Sequence, residues 1–253
     1  FFTASVTDLS FENCNFTNNN AIGTADDGHN TNTSGAGIYF QSTVKNLNIT
    51  KCNFINNSCH SQLSAGAYPI DSSGTAVYFK TTADNIKFKD SVFDKNCANA
   101  TSLYYNGGKS YSYGGAVCFM SSVSGLSFEN TNFTENSIYA YADKGNSNPT
   151  EAYGAAIYIG STTGNINFTD CHFIDNDASY GGNGESYCGA IRFESTSILE
   201  NLNFIGCEFT NNMATNGYGV MNFVVDVIDD FKGNVTISVD GVKYNGTVKS
   251  LIE

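Results

Sequence analysis

Charged residues are scarce in this chain of 253 residues. They make up 14% of the sequence, where an average soluble protein has about a quarter, and only 12 residues are Lys or Arg. The net charge of −12 argues against nucleic-acid binding, because phosphates are bound by clusters of Lys and Arg. It argues equally against binding to anionic membranes.

Several local signals are also missing. The chain has 2 Pro and 0 Trp, and no 3.6-residue apolar period predicts a helix. No run reaches the roughly 18 apolar residues of a transmembrane helix. Phe1 is preceded by neither a starting Met nor a charged-then-apolar leader, so we interpret the chain as a processed piece of a longer protein.

One motif is present along nearly the whole sequence. Its pattern is apolar-x-apolar-x-x-(Cys/Ser/Thr)-x-Phe-x-x-Asn, and its Phe recurs in steps of 38, 39, 40, 40 and 36 residues. A repeat of this length predicts a solenoid, a propeller or an array. The copies are Leu9–Asn19, Leu47–Asn57, Ile86–Asn96, Leu126–Asn136, Ile166–Asn176 and Leu202–Asn212.

A second block, such as Gly35–Phe40, precedes each later copy of the motif. Its alternation places Ile38 and Phe40 inside and their neighbours outside, as in a strand. One repeat therefore holds three short strands, here Gly35–Phe40, Leu47–Ile49 and Cys52–Phe54.

Stacked repeats of this kind predict an all-β fold, a right-handed parallel β-helix of about six coils over residues 1–223. A β-propeller ranks second, because its blades need longer strands joined by hairpin signals that are missing here. Residues 224–253 form a second region. In it Val235–Val239, Asp240-Gly241 and Val242–Tyr244 predict a hairpin that either caps the solenoid or begins an immunoglobulin-like module.

Stacking assigns a structural role to the repeated Phe and Asn. The Phe residues form a column in the core, and the Asn residues form a column at a corner. There an Asn tolerates left-handed backbone angles, and its amide bonds to the Asn of the next turn.

The segments between each Asn and the next Gly block are predicted to be loops that emerge at one corner and form one binding face. They comprise residues 20–34, 58–73, 97–113, 137–153, 177–187 and 213–217. They are rich in Tyr, Ser, Gly and Asn, a composition typical of antibody binding loops. The candidate ligand-binding residues are Tyr104, Tyr105, Tyr111, Tyr113, Tyr139, Tyr141, Tyr153, Tyr180 and Tyr187.

An outward ladder of Tyr39, Tyr78, Tyr158 and Arg192 lies on the strands of the Gly block. Stacked aromatic rings can hold sugar rings. Cross-strand packing of tyrosines also stabilises a sheet, and we favour this second interpretation.

Two roles are considered for the cysteines, which are a disulfide bond and a metal site. Cys59 and Cys97 follow the repeated Asn in adjacent turns and are the best disulfide candidates. Together with His29 and His60 they also have the ligand types of a zinc site, but the spacing matches no known signature, so we predict no metal centre. Four further cysteines, Cys14, Cys52, Cys171 and Cys207, occupy the motif position at which Ser91 and Thr131 also occur. A position shared by Cys, Ser and Thr selects a small side chain, so we predict free thiols there.

No cofactor is predicted, with calcium as the alternative. Loop aspartates supply the oxygen ligands that calcium prefers, although no calcium-loop pattern occurs. These aspartates are Asp26, Asp27, Asp71, Asp143, Asp175 and Asp177. Among the Asn-x-Ser/Thr sequons, Asn32 and Asn99 are the plausible glycan acceptors, since both lie in predicted loops.

A catalytic centre is not indicated. Catalysis needs polar groups that converge in a cleft. Arg192, Lys80, Glu194 and His172 are the candidates on outer strand faces, and they form no pair at repeating positions. We therefore predict that the chain is not an enzyme.

The combination of Phe-x-x-Asn with Gly-Gly-Ala-(Ile/Val) resembles the repeats of two groups of surface proteins over residues 1–223. One group is the polymorphic outer-membrane adhesins of chlamydiae, and the other is the adhesin-like surface proteins of methanogenic archaea. The resemblance implies an archaeal or bacterial protein that is secreted, anchored to the cell wall or displayed at the cell surface. It carries over no catalytic residues.

We accordingly expect an extracellular adhesin fragment that binds a carbohydrate or a surface protein of a host or partner cell through its loop face. Further copies of the chain or adjacent modules are additional expected partners. The alternatives are a structural stalk or filament subunit without a ligand and a polysaccharide-active enzyme.

Overall fold

The computed structural model describes residues 1–26, 30–66, 68–103, 109–143, 150–162, 164–182, 184–194, 199–215, 221–223, 234–239 and 242–247. Within these ranges the chain contains strands and no helix, and hence no helix that is long and apolar enough to cross a membrane. Its parallel strands stack as a β-solenoid of about five turns. The predicted parallel β-helix is therefore confirmed, with slightly fewer turns than the six coils expected.

The coils that begin at Ile38, Val77 and Ile157 have five strands, not the three that the sequence predicts, and in the coil that begins at Val117 the first two of the five are joined into one. The additional two lie inside the segments predicted to be loops, so the expected irregular loop face is instead mostly regular sheet. The second coil contains Ile38–Phe40, Val44–Thr50, Asn53–Ile55, Ser58–Leu63 and Ile70–Ser73. The apolar pattern of the sequence does not reveal the last two strands, because Ser, Thr and Ala occupy most of their inward positions.

Sheet A has two arms that are continuous through one long strand, Val117–Glu129. Arm A1 contains Ile38–Phe40, Val77–Phe79, the first part of Val117–Glu129, Ile157–Thr162, Ile191–Phe193 and Met221–Phe223. Arm A2 contains Val6–Glu12, Val44–Thr50, Ala83–Lys89, the last part of Val117–Glu129, Gly164–Thr169 and Leu199–Ile205.

Three further sheets complete the coil. Sheet B contains Asn15–Thr17, Asn53–Ile55, Val92–Asp94, Asn132–Thr134, His172–Ile174 and Cys207–Thr210. Sheet C contains Asn20–Ala25, Ser58–Leu63, Cys97–Ser102, Ser137–Ala142, Asp177–Gly181 and Met213–Ala214. Sheet D contains Thr31–Ser34, Ile70–Ser73, Ser110–Tyr113, Thr150–Tyr153 and Gly184–Tyr187.

The main core lies between sheets A and B, and it consists of columns of identical residue types. Phe54 stacks on Phe93 with ring centroids 4.8 Å apart and planes 2° apart, and Phe93 stacks on Phe133 at 4.9 Å. In-register parallel pairing places equivalent residues one strand spacing apart, which suits offset-stacked rings. The predicted Phe column is thus confirmed.

A second, thinner core lies between sheets C and D. Ala140 and Ala152 are fully buried in it, and Ser hydroxyls supply the remaining contacts. Ser72 Oγ donates to the carbonyl of Asn99 at 2.7 Å, and Ser112 Oγ donates to that of Tyr139 at 2.8 Å. Small side chains let the two sheets approach closely, and the buried hydroxyls of Ser72 and Ser112 are both hydrogen-bonded, whereas that of Ser102 has no partner among the described residues.

The predicted C-terminal hairpin is present. Asn234–Val239 pairs antiparallel with Val242–Thr247, and it pairs in parallel with Cys207–Thr210 of sheet B. The hairpin therefore extends sheet B beyond its last coil, and its two strands are one and three residues longer than predicted. The predicted boundary between residues 223 and 224 adjoins residues 224–233, which lie outside the described ranges.

Candidate functional site

The candidate tyrosines lie on strands rather than in loops. Tyr111, Tyr113, Tyr153 and Tyr187 belong to sheet D, whereas Tyr139, Tyr141 and Tyr180 belong to sheet C. Tyr39, Tyr78 and Tyr158 lie on arm A1, as the alternation predicted. Tyr104 and Tyr105 lie outside the described residues. Tyr139 and Tyr141 thus lie on a different outer face from the sheet D tyrosines, and Tyr180 pairs in register with the buried Ala140.

A concave corner joins sheet D to arm A1. The chain turns there through residues with positive φ, namely Gly35, Gly74, Gly114, Gly154 and Cys188. At Gly114 a Cβ atom would lie 2.4 Å from the carbonyl oxygen of Val117, so the tight turn favours glycine. Because of this turn, the outer faces of sheet D and arm A1 face each other. We call the resulting channel the corner groove.

Tyrosines cover the floor of the corner groove. The rings of Tyr113 on sheet D and Tyr158 on arm A1 have centroids 4.8 Å apart, so the two faces are in contact. Tyr78 and Tyr158 are each 6% exposed, and Tyr153 is 8% exposed, although all three point away from the main core. Cross-strand and cross-groove packing therefore accounts for most of their surface.

Other rings remain partly exposed along the corner groove, those of Tyr39, Tyr111, Tyr113 and Tyr187. They form the accessible aromatic surface of this channel. Tyr139, Tyr141 and Tyr180 are also partly exposed, but their sheet C positions separate them from it.

Arg192 completes the predicted outward ladder at the far end of the corner groove. Its guanidinium carbon lies 4.8 Å from the ring centroid of Tyr153 and 5.4 Å from that of Tyr187. Its Nε donates to Glu194 Oε2 at 2.7 Å. The cation is held between aromatic faces and a carboxylate, an arrangement that suits the planar guanidinium.

Acidic side chains line the wall formed by sheet D. The outward register position contains Asn32, Asp71, Tyr111, Glu151 and Glu185. Burial raises the pKa of Asp71 to about 6, and a hydrogen bond from Ser73 partly opposes this rise. Burial likewise raises the pKa of Glu151. The protein therefore keeps carboxyl groups in a poorly solvated channel beside aromatic rings.

Glu151 and Glu185 are residues that the sequence reasoning missed, and Asp71 was considered only as a calcium ligand. A usable signal existed. Asp71 and Glu151 each lie three residues before the Gly that begins the next block, Gly74 or Gly154. Aligning the segments from their C-terminal ends would have shown the shared position.

A pocket opens at the first-coil end of the corner groove, with a volume of about 450 Å³. It combines aromatic rings, both charge signs and neutral polar groups. Its lining residues are Phe1, Ala21, Ile22, Asn32, Thr33, Ser34, Tyr39, Asp71, Tyr78 and Lys80. This size lies within the range of about 300–1,000 Å³ usual for small-molecule sites.

The structure does not support the predicted disulfide between Cys59 and Cys97. Both thiols are free, and Cys59 pairs in register with Ala98, while Cys97 pairs with Ser58. Cys59 is therefore buried on the inner face of sheet C, and Cys97 is partly exposed on its outer face. Side chains on opposite faces cannot be bridged, because their Cβ vectors point apart.

The candidate zinc ligands that the structure describes do not converge on one point. Cys59 points inward, while His60 and Cys97 point outward, and His29 lies outside the described residues. Among the aspartates considered for calcium, Asp27 is also outside them. Asp26 and Asp143 follow equivalent sheet C strands three coils apart, and Asp71, Asp175 and Asp177 lie at other positions of the coil. In the described part of the chain no three His, Cys, Asp or Glu residues form a group suited to a metal ion.

Both candidate glycosylation residues lie on strands instead of the predicted loops. Asn32 is exposed on sheet D and lines the pocket. Asn99 is partly exposed on sheet C, where its Oδ1 accepts a hydrogen bond from Thr101 at 2.8 Å.

The remaining candidates for catalysis are dispersed. His172 lies on sheet B, with its Nδ1 4.0 Å from Glu208 Oε2. Lys80 and Glu194 follow strands of arm A1 at opposite ends of the corner groove.

Comparisons with known proteins found no matching family model, no similar curated protein and no similar solved structure. The function is therefore inferred from the geometry and chemistry of the corner groove.

Proposed function

We propose that this chain is a carbohydrate-binding part of a cell-surface adhesin and that it binds glycans along the corner groove. On this proposal it is extracellular, and its partner is a glycan on a host or partner cell. It binds without chemical turnover. The observation that carries the proposal is the collection of partly exposed tyrosines in one channel that also contains carboxyl groups.

Sugar rings match this channel chemically. The C–H faces of a pyranose pack against aromatic rings, and its hydroxyls need hydrogen-bond partners. Tyr39, Tyr111, Tyr113 and Tyr187 provide rings, and Glu151 provides an acceptor that is already poorly solvated. Aromatic side chains offer large contact areas at low conformational-entropy cost, which favours their use in such sites.

The charge of the protein narrows the expected glycan class. The net charge is −12, and carboxyl groups repeat along the sheet D wall at Asp71, Glu151 and Glu185. An anionic polysaccharide would be repelled during approach and would meet like charges in the groove. We therefore expect neutral glycans to bind in preference to sulfated or uronic-acid polymers.

A glycan array combined with titration of the best-bound oligosaccharide tests the proposal. Tyr111→Ser removes an accessible ring from the corner groove, and we expect it to weaken binding about tenfold. Tyr139→Ser is the matched control, since Tyr139 is also partly exposed on an outer face but belongs to sheet C. Equal losses in both variants would contradict the groove as the binding site.

A structural stalk is the competing interpretation. It is favoured by the deep burial of Tyr78 and Tyr158, whose packing strengthens the solenoid without any ligand. If the folded protein retains no neutral glycan on the array and does not attach to cells, the stalk interpretation replaces ours.

An enzymatic function has one supporting observation, which is that Glu151 interacts electrostatically with Glu185 and with Glu194 across the groove. Two carboxyl groups in different environments are the requirement for glycoside hydrolysis. Mass spectrometry of the bound oligosaccharide after long incubation separates the cases. Intact oligosaccharide agrees with binding alone, and cleaved products would identify an enzyme.

A further inference from the structure

We infer that the 450 Å³ pocket of the corner groove beside Phe1 is a specific site for one uncharged pyranose residue. This inference rests on the proposed function and sharpens it. The groove would contact several sugars of a glycan, and the pocket would select the identity of one of them.

An aromatic strip forms one side of this pocket. Phe1 stacks on Tyr39 with ring centroids 4.6 Å apart and planes 16° apart. Tyr39 in turn stacks on Tyr78 at 5.1 Å. Rings in this arrangement provide a nearly continuous flat apolar surface, which complements the C–H face of a pyranose.

Polar groups surround the rest of the pocket. Asp71 supplies a carboxylate, Asn32 an amide and Lys80 an ammonium group. Asn32 and Asp71 are register partners on adjacent strands of sheet D, so their side chains lie side by side. Acceptors and donors placed close together match adjacent hydroxyls, because each hydroxyl both donates and accepts.

The carboxylate is held in place before any ligand binds. The hydroxyl of Ser73 donates to Asp71 Oδ1, and Ser61 Oγ donates to the backbone carbonyl of Asp71 at 2.6 Å. No described residue donates a hydrogen bond to Asp71 Oδ2. A fixed acceptor that faces a partly open pocket reduces the entropy lost on binding.

The charge pattern favours a neutral polyol over an ion. An organic cation would benefit from Asp71 and the rings but would meet Lys80, and an anion would benefit from Lys80 but would meet Asp71. A neutral sugar hydrogen-bonds to both without such a conflict. Because Asn32 belongs to a sequon and lines the pocket, a glycan on Asn32 would obstruct it, so the test requires unglycosylated protein.

The test is calorimetric titration of the full chain with methyl pyranosides of different hydroxyl stereochemistry, followed by competition with the groove-binding oligosaccharide. We expect at least one methyl pyranoside to bind and to compete. Lys80→Met should weaken its binding about tenfold, as expected for loss of a charged hydrogen-bond donor. Lys87→Met, which alters an exposed lysine on arm A2, is the matched control and should bind as the wild type does.

The remaining outcomes separate this inference from the proposed function. If oligosaccharide binding depends on Tyr111 but is unchanged in both Lys80→Met and Asn32→Ala, the pocket assignment is wrong and the groove proposal stands. If tetramethylammonium or an anionic methyl uronide binds in place of neutral pyranosides, the ligand class is wrong. If no saccharide of any length binds, both proposals fall.

Discussion

At the scale of single residues, the asparagine column shows how identical side chains can stabilise every coil. Asn96 Nδ2 donates to Asn136 Oδ1 at 2.9 Å and to the carbonyl of Phe54 at 3.0 Å. Its Oδ1 accepts from the backbone N and from Nδ2 of Asn57. The amide is completely buried, and each of its polar atoms is hydrogen-bonded, as low-dielectric surroundings require.

Substitution of Asn96 by alanine is therefore expected to destabilise the protein strongly. Asn96→Ala removes these bonds and leaves buried donors of Asn57 unpaired, so we predict a loss of roughly 3 kcal/mol in the free energy of unfolding. Chemical denaturation measures this value. Asn48→Ala, at an exposed position of arm A2, is the control, and we expect a change within about 0.5 kcal/mol. A loss below 1 kcal/mol at Asn96 would show that water replaces the amide.

A second prediction at this scale concerns Asp71 and the dependence of protein stability on pH. Its pKa of about 6 in the folded protein exceeds the value of about 3.9 in an unfolded chain. The folded state therefore binds this proton more tightly, and stability rises as pH falls through 6 towards 4. Through this carboxyl, lowering the pH from 7 to 5 is expected to raise the free energy of unfolding by roughly 1 kcal/mol.

In Asp71→Asn this contribution should disappear, and the variant should be more stable than the wild type at pH 7. Denaturation curves at pH 5 and pH 7 give the comparison. Asp26→Asn, at an exposed position, should retain the pH dependence of the wild type. An identical pH dependence in Asp71→Asn and the wild type would show that Asp71 is well solvated.

At the scale of elements, the sharp corners between strands depend on left-handed residues. At the corner between sheets B and C, φ is 54° at Asn56, Lys95 and Asp175 and 51° at Glu135. The left-handed residue thus precedes the repeated Asn, which corrects the prediction that the repeated Asn itself has this backbone. The repeated Asn uses its side chain, and the residue before it makes the turn.

Residues other than Gly and Asn are strained in the left-handed region, so Glu135 offers a stabilising substitution. We expect Glu135→Gly to raise stability by roughly 0.5–1 kcal/mol, because strain of about 1–2 kcal/mol is relieved and glycine entropy opposes the gain. Its ion pair with Lys95 is solvent-exposed and adds little. Thr134→Gly, one residue earlier within a sheet B strand, should instead lower the melting temperature. The same sign at both positions would contradict the strain argument.

At the scale of the whole molecule, two cores of different composition share one coil. Stacked Phe rings fill the space between sheets A and B, and small residues fill the space between sheets C and D. All eight cysteines are free within this architecture, and six of them are buried. The solenoid is thus held together by ladders and packing, without covalent cross-links between coils.

Thiol titration checks this state. After unfolding without reductant, eight thiols should react with Ellman's reagent, and reductant should leave the melting temperature unchanged. In the folded protein we expect rapid reaction only of Cys14 and Cys97, which are partly exposed. Burial raises the pKa of Cys59 to about 12, so its reactive thiolate is rare at neutral pH. Six reactive thiols in the unfolded chain would indicate a disulfide, and Cys97→Ser would show whether Cys97 takes part.

The sequence alone determined the fold and its core. Large apolar residues at a fixed spacing specify which positions face inward, so Leu126–Asn136 and its copies located arm A2, sheet B and both stacked columns, and the Gly blocks located arm A1. The Gly blocks also indicated the outward direction of Tyr39, Tyr78 and Tyr158, because alternation along a strand is a local property.

Only the tertiary structure decided that the segments between each repeated Asn and the next Gly block form sheets C and D. Ser61, Ser72 and Ala140 can be buried or exposed at little cost, so their sequence carries no strong signal, and pairing with adjacent coils makes them strands. The concave corner likewise follows from sheet D meeting arm A1. It turned scattered tyrosines and unnoticed carboxyl groups into one groove, because residues far apart in the chain become neighbours only when the coil closes.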